Sequence, residues 1–211
     1  MLLFSRGLSP ISRRTEKIIG KSFLRDTRLV LMTNHVHLVL TPGHTDSVSR
    51  LMQAAGSRYV QYVNRRYERT GTLWEGRYHA SLVDTERYLL TCYRYVEMNP
   101  VRAKLVKSPG SYRWSSYRRN AFGERNDVIA PHVCYLNLGR SSTARCRAYR
   151  EAFCDGLDEE TLKAIRDGTN QELVLGTDQF KHRIERLYAR QARRRKSGRP
   201  RKKIKELKNT L

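Results

Sequence analysis

The chain has 211 residues, and its 42 Lys and Arg against 20 Asp and Glu give a net charge of +22. This length allows one compact domain with appendages but is short for two full domains. A surface this basic attracts phosphate backbones and releases their counterions, so the composition predicts a nucleic acid partner. A solvated basic face and a ribosome-associated protein are alternatives that the composition leaves open.

The apolar runs and the cysteines exclude several other classes of protein. No run approaches the roughly 18–20 residues that a membrane-spanning helix needs, and the apolar stretch at residues 1–4 is too short for a signal peptide. The four cysteines form no Cys-x-x-Cys pair, so neither a zinc site nor a disulfide framework is indicated. We therefore expect a cytoplasmic protein with reduced thiols and no membrane association.

The first predicted element is a strand. Residues 1–24 show no convincing strand pattern, whereas residues 28–40 are rich in aliphatic and β-branched side chains and end before Pro42-Gly43. On this strand His35 and His37 are two residues apart, so both imidazoles point to one face and can reach one ion. The spacing also occurs by chance on exposed strands, and alone it is a weak indication of a metal site.

Helices follow along the rest of the chain. Residues 47–66 carry apolar side chains at helical spacing, and an extended piece at 78–83 precedes a second helix that is expected to open at Asp84 or Thr85. This helix runs to Asn99-Pro100, where the proline disfavours helical geometry at Asn99. Further helix-like stretches lie at 143–154, 158–167 and 177–190.

The second helix carries the candidates for covalent chemistry. Tyr95 and Asn99 are four residues apart and share one face. A phenol can act as a covalent nucleophile, and an amide oxygen can bind a hard metal ion. Tyr93 and Glu97 have the same spacing on another face, so spacing alone does not choose between the tyrosines. Packing of these tyrosines against the sheet is the alternative interpretation.

The C-terminal stretch is the most basic part of the chain. Residues 181–211 hold 14 Lys and Arg and two acids, so this stretch carries +12 of the net charge of +22. Such a run repels itself, so residues 191–211 are predicted to be a disordered, DNA-binding tail. Gly198-Arg199-Pro200 with the flanking Arg201 is similar to an AT-hook, which inserts arginine into a narrow minor groove. The match is short, and a generic basic tail is the simpler interpretation.

Four sequence blocks occur in a fixed order. They are MTNHVHLV at 32–39, GTLWEGRY at 71–78, YVEMNPVRA at 95–103 and WSSY at 114–117. Together they resemble the REP-associated tyrosine transposases of the HUH single-tyrosine superfamily. The resemblance covers about residues 29–117, and the C-terminal helical part more loosely.

The resemblance implies an α+β fold, a ferredoxin-like antiparallel sheet with helices on one face. Residues 25–118 would be the catalytic domain, 119–190 a helical extension and 191–211 the basic tail. Members of the family have a strand and a long helix ahead of the His-x-His strand, so residues 1–24 are expected to be diverged or truncated. Loss of that strand would expose a sheet edge beside the histidines and weaken the expectation of an active enzyme. A monomer and a homodimer that covers this edge both stay open.

The resemblance also implies a site and a reaction. Tyr95 would be the nucleophile, and His35, His37 and Asn99 would bind Mg²⁺ or Mn²⁺. The substrate would be single-stranded or hairpin DNA of a repetitive palindrome, cleaved through a 5′-phosphotyrosine intermediate by a nucleoid-associated protein. The predicted DNA contacts are Arg65, Arg66, Trp74, Arg77, Arg199 and Arg201. For Trp74, base stacking and a place in the core are both open.

Two other functions remain as alternatives. A non-catalytic DNA-binding protein, derived from a decayed transposase, would act through the basic tail. Its DNA affinity would depend strongly on salt and would survive loss of His35, His37 and Tyr95. An RNA-binding protein would instead prefer a ligand with 2′-hydroxyl groups.

Overall fold

The computed structural model describes residues 2–7, 24–84, 88–126, 129–189 and 191–193, with 2–7 and 24–27 described by their backbone alone. The predicted tail residues Arg199 and Arg201 therefore lie outside the described residues. None of the helices in these ranges has both the length and the apolar character that crossing a bilayer requires.

Four strands form one antiparallel sheet, in the order β2-β3-β1-β4. They are β1 at Leu2–Gly7, β2 at Leu24–Leu31, β3 at His35–Pro42 and β4 at His79–Leu82. Since β1 and β2 both run antiparallel to β3, they are parallel to each other, and a crossover must join them. This order and these directions are those of a ferredoxin-like sheet, so the predicted α+β fold is confirmed.

The N-terminal segment supplies a central strand of this sheet. Leu2 lies opposite Leu40 of β3 and Leu82 of β4, and Gly7 lies opposite His35. The predictions that this segment lacks a strand, and that an edge of the sheet is exposed beside the histidines, are therefore wrong. That the segment is diverged or truncated relative to the family stays a prediction. The local pattern misses β1 because a short strand paired on both sides is stabilised by hydrogen bonds to strands that are distant in sequence.

β2 and β3 form a hairpin, where the sequence predicts one strand over residues 28–40. The turn is Met32-Thr33-Asn34, and the Met32 N–H donates to the carbonyl oxygen of His35 at 2.8 Å. Because apolar side chains continue up to Met32, composition alone does not mark the break. The consequence for the site is that the histidine pair opens β3 beside a tight turn.

Helices cover both faces of the sheet, rather than the single face expected. Helix α1, Ser47–Arg66, packs on the face that carries Leu38 and Leu40. Helix α2, Leu89–Glu97, packs on the other face against Val30 and Val39. Successive residues of β3 point to opposite faces, with Val36, Leu38 and Leu40 on one face and Val39 on the other, so both faces need an apolar cover.

The remaining helices follow α2. They are α3 at Asn99–Arg102, α4 at Tyr117–Phe122, α5 at Val133–Leu136, α6 at Ser142–Glu151, α7 at Glu159–Asn170 and α8 at Asp178–Tyr188, with a 3-10 turn at Pro109–Ser111. Helices α6 to α8 match the predicted stretches to within a few residues. Ser141, Asp158 and Thr177 fix their starts, because each side chain accepts a hydrogen bond from a backbone N–H of the first turn.

Other parts of the chain cover the two edges of the sheet. On the β2 edge, the Leu31 N–H donates to the carbonyl oxygen of Trp114 at 2.9 Å. On the β4 edge, the Leu175 N–H donates to the carbonyl oxygen of Leu82 at 2.8 Å. The WSSY block and the C-terminal extension thus satisfy backbone groups that an open sheet edge would leave free.

A buried hydrogen-bond network holds α2 in place. Glu97 is 0% exposed and accepts hydrogen bonds from Ser116 Oγ, from Asn120 Nδ2 at 3.2 Å and from the Tyr149 hydroxyl at 2.8 Å. Desolvation raises the pKa of Glu97 to about 7, while these hydrogen bonds and the positive charge of the buried Arg28 act in the opposite direction. The network ties the end of α2 to β2, α4 and α6.

Replacing Glu97 by alanine should lower the free energy of unfolding by about 3–5 kcal/mol, because it leaves a buried cation and three polar groups without their shared carboxylate. Urea unfolding followed by circular dichroism measures this loss. Glu124→Ala is the control, since Glu124 pairs with Arg118 at the surface and its removal should cost far less. Equal losses for the two variants would contradict this role of Glu97.

Candidate active site

His35 and His37 lie side by side on one face of β3. Their Nε2 atoms are 2.9 Å apart, and their rings meet edge to face with centroids 4.7 Å apart. The Nδ1 atom of His35 lies 2.7 Å from Oδ1 of Asn34. Since an amide oxygen accepts, this contact assigns the proton of neutral His35 to Nδ1 and leaves a lone pair on Nε2. Burial lowers the pKa of His35, which favours the neutral form.

Tyr95 of α2 faces these histidines. Its ring centroid lies 6.3 Å from that of His37, again edge to face, and Tyr95 is 7% exposed. The guanidinium carbon of Arg102 lies 4.6 Å from the centroid of the Tyr95 ring, and Nη2 of Arg102 donates to the Tyr95 carbonyl oxygen. The phenol ring is therefore in contact with both an imidazole and a guanidinium group.

Asn99 opens α3, one helical turn after Tyr95. Its Oδ1 accepts a hydrogen bond from Nη2 of Arg102 at 2.7 Å, and its Nδ2 donates to the Val96 carbonyl oxygen at 3.1 Å. These two contacts hold the amide in one orientation. An amide oxygen has two lone pairs, so one remains for a further partner. Helix α2 ends at Glu97, but Asn99 itself begins α3, so the helical geometry that Pro100 was expected to disfavour at Asn99 is present.

All four predicted catalytic and metal-binding residues line one cavity of 340 Å³. β3 contributes His35 and His37, α2 contributes Tyr95, and the first residue of α3 is Asn99. The fold thus brings together two sequence blocks that lie far apart along the chain. The catalytic and metal-binding roles of these residues stay predictions.

The histidine pair meets the distance requirement of a divalent metal ion. Two Nε2 atoms 2.9 Å apart can both reach an ion at about 2.0–2.1 Å, the length of a bond from histidine to zinc. In the part of the chain that the structure describes, no group of three or more His, Cys, Asp or Glu is placed to bind a metal. Asn99, the predicted third ligand, lines the same cavity, and its role stays a prediction.

Tyr93, the alternative to Tyr95, lies away from this cavity. It is fully buried in the core, with the guanidinium carbon of Arg28 at 4.7 Å from its ring centroid. Glu97, which shares its spacing, belongs to the buried network described above. The spacing of the residues leaves two pairs as candidates. The pair of Tyr95 and Asn99 lies at the histidines, whereas Tyr93 and Glu97 lie in the core.

The C-terminal extension also lines the cavity, and sequence analysis does not predict this. Arg166, Thr169 and Asn170 of α7 lie at its wall. Helix α7 is held on the sheet because Ser81 Oγ of β4 donates to the Gly168 carbonyl oxygen at 3.1 Å. The amphipathic pattern of residues 158–167 predicts a helix, but it does not show which surface that helix packs against.

The cavity is rich in positive charge. Its lining includes Arg102 and Arg166 and, within the described ranges, no Asp or Glu. Desolvation lowers the pKa of Arg102, and the positive charge of Arg166 lowers it further, while Tyr95 and Glu159 act in the opposite direction. A cavity with this balance suits an anionic ligand.

Three of the predicted DNA contacts are surface arginines that do not line the cavity. Arg65 and Arg66 are exposed in the last turn of α1, and Arg77 is exposed just before β4. Their exposure leaves them accessible to a phosphate backbone. A role in DNA binding remains a prediction for all three.

Trp74 lies on the face of the sheet opposite to the histidines. Its indole is half-buried against α1, where Nε1 donates to the Gly56 carbonyl oxygen at 3.4 Å and the ring centroid lies 6.3 Å from that of Tyr59. A Cβ atom added at Gly56 would lie 3.2 Å from the indole nitrogen, so glycine permits this close approach. The placement favours a packing role over base stacking.

Trp74→Ala should therefore destabilise the protein and leave its affinity for single-stranded DNA within about twofold of wild type. Loss of a stacked base would instead cost about 1–3 kcal/mol of binding free energy. Thermal unfolding and fluorescence anisotropy with labelled oligo(dT) measure the two effects separately. A large loss of affinity in the folded variant would show that Trp74 contacts DNA.

Comparison with known proteins finds a family model that matches part of the chain. Residues 12–99 match the family model described as IS200-like transposase. This range contains His35, His37, Tyr95 and Asn99. The match covers less than half of the chain, and over these residues it supports the predicted resemblance to this family.

Among solved structures, the chain is similar to a REP-associated tyrosine transposase bound to a REP hairpin. The TM-score is 0.48 and the sequence identity 17%, over 63% of this chain and 86% of that chain. The comparison with curated proteins finds no match.

Proposed function

We propose that this protein is a metal-dependent single-strand DNA endonuclease and transposase that forms a 5′-phosphotyrosine intermediate at hairpin DNA. The observation that carries the proposal is the cavity in which Tyr95 faces the histidine pair, with ring centroids of Tyr95 and His37 6.3 Å apart. The match to the IS200-like transposase family and the net charge of +22 support DNA as the partner.

Tyr95 is the proposed nucleophile. Its phenol oxygen bonds to phosphorus and the bond from phosphorus to the 3′ oxygen breaks. The 3′ oxygen leaves as a 3′-hydroxyl, which takes up a proton as the phenol loses one. The phosphotyrosine ester keeps the energy of the broken bond, so a 3′-hydroxyl can reverse the step and rejoin strands without ATP.

His35, His37 and Asn99 are the proposed residues that hold Mg²⁺ or Mn²⁺. When bound, the ion neutralises the charge that develops on the scissile phosphate. Asn34 holds the His35 ring through its Nδ1 atom, at 2.7 Å, so that Nε2 points towards Nε2 of His37. Arg102 holds the Asn99 amide through one lone pair of Oδ1, which leaves the other lone pair for the ion.

The burial of the Tyr95 side chain favours single-stranded or hairpin DNA as the substrate. Because Tyr95 is only 7% exposed, the scissile phosphate has to enter the cavity to meet the phenol oxygen. An unpaired strand can bend into such a cavity, whereas the second strand of a duplex would hinder entry.

All the proposed catalytic residues come from one chain, so cleavage would not require a second subunit. The protein would act at the nucleoid.

Tyr95→Phe should abolish the covalent adduct between the protein and DNA, because it removes the attacking oxygen and keeps the ring. The assay incubates protein and Mn²⁺ with a labelled library of hairpin-containing single strands and follows a band that survives denaturing electrophoresis. Tyr93→Phe is the matched control and should retain the adduct. The assignment fails if the control loses the adduct while Tyr95→Phe keeps it, or if wild type forms none.

His37→Ala should weaken Mn²⁺ binding by more than tenfold, and Asn34→Ala should weaken it by about 10–100-fold, as expected when a residue that orients a ligand is lost. Isothermal titration of the protein with MnCl₂ measures both affinities without any DNA. His44→Ala is the control, since His44 is an exposed histidine that does not line the cavity. Unchanged Mn²⁺ affinity in His37→Ala would rule out the histidine pair as ligands.

The charge of +22 by itself favours a second candidate function, DNA binding without cleavage. In that case DNA affinity would fall steeply with salt and would survive the substitutions His35→Ala, His37→Ala and Tyr95→Phe. The adduct assay separates the two functions, because only the nuclease forms a covalent bond. The RNA-binding alternative is tested by letting oligo(rU) compete with oligo(dT) for the protein. An RNA-binding protein would prefer oligo(rU), which carries 2′-hydroxyl groups.

A further inference from the structure

Two arginines from different parts of the chain line the cavity beside Tyr95. Arg102 is the last residue of α3, and Arg166 lies on α7 in the C-terminal extension. The proposed transposase chemistry, built on the histidines, Tyr95 and Asn99, uses neither guanidinium group to contact DNA. Both groups are nevertheless placed where a DNA strand would have to enter.

Arg102 is held in one position by the site itself. Its Nη2 atom donates to Asn99 Oδ1 at 2.7 Å and to the Tyr95 carbonyl oxygen, and its guanidinium lies over the Tyr95 ring. A guanidinium has five N–H donors, and within the described part of the chain these hydrogen bonds come from Nη2 alone. Donors on Nη1 and Nε remain for a ligand in the cavity.

Arg166 brings a second positive charge close to the first. Desolvation is the main cause of the lowered pKa of Arg102, and the positive charge of Arg166 lowers that pKa further. Holding like charges at one cavity costs free energy unless an anion lies between them. Glu159 offsets part of this repulsion, but no Asp or Glu among the described residues lines the cavity itself, so the cavity suits an anionic ligand.

We propose that Arg102 and Arg166 bind one phosphate group of the DNA strand that enters the cavity. The inference rests on the proposed nuclease function and extends it, because it makes the C-terminal helical extension part of the DNA-binding site. A guanidinium presents paired N–H donors that match two phosphate oxygens, and two such groups can hold one phosphate from two sides. Such a contact would fix the register of the strand relative to Tyr95.

Arg166→Gln should weaken binding of oligo(dT) about tenfold or more, as expected for a lost hydrogen bond to a charged group. The slope of log affinity against log salt should fall by about 0.7, the value for one phosphate contact on a single strand. Fluorescence anisotropy measures both quantities in the full chain without added metal, with Tyr95→Phe present in every protein. Lys163→Gln is the matched control: Lys163 is an exposed cation of the same helix that does not line the cavity.

A double-variant cycle tests whether the two arginines share one phosphate. If they do, the affinity losses of Arg102→Gln and Arg166→Gln should not add, whereas independent contacts would give additive losses. Arg102→Lys serves as a second variant, which keeps the positive charge at this position. Thermal unfolding shows that each protein is folded. Additive losses, or an Arg166→Gln variant that behaves like Lys163→Gln, would overturn the proposal.

This experiment is independent of cleavage. Every protein in it carries Tyr95→Phe, and no metal is added, so the affinities report phosphate binding alone. If the wild-type protein forms no adduct, the nuclease function is overturned. The arginine contact is still decided by the binding affinities alone.

Discussion

The pairing of β3 with β1 on one side and β2 on the other is the constraint on which the site depends. His37 lies opposite Ser5 of β1 and Val30 of β2 in the ladder. With both neighbours in place, the backbone of β3 has little freedom, and the side-chain alternation of a strand keeps both imidazoles on one face. A shift of one residue in this register would turn both histidines away from Tyr95.

The opposite wall of the site depends on buried polar groups rather than on the sheet. Glu97 ties α2 to Ser116, Asn120 and Tyr149 inside the core, and this places Tyr95 two residues earlier on the face towards the histidines. Because buried polar groups are costly when unsatisfied, the network permits few alternative positions of α2. The adjacent Asn99 and Arg102 then hold each other and the Tyr95 backbone at the cavity.

Charge at the cavity links the fold to the chemistry proposed for it. The sheet contributes the imidazoles of His35 and His37, and the segments outside the sheet contribute Arg102 and Arg166. Two guanidinium groups at one cavity, together with the metal ion proposed to bind there, would suit a ligand that carries several negative charges, as a nucleic acid strand does. In this proposal the C-terminal extension would belong to the same functional unit as the sheet, although it lies outside the range that matches the transposase family model.

The sequence by itself determined the residue types and much of the local structure. Helix α1 was predictable to the residue because its apolar spacing is regular, and the ordered blocks indicated the family and singled out Tyr95. Only the tertiary structure decided the rest. Strand β1 forms because it pairs with strands that are distant in sequence. Tyr93 and Tyr95 differ because one side of α2 is buried in the core and the other faces the histidines. Arg166 lines the cavity because of the position at which α7 packs. Each of these is a contact between segments remote in sequence, and local propensity does not encode such contacts.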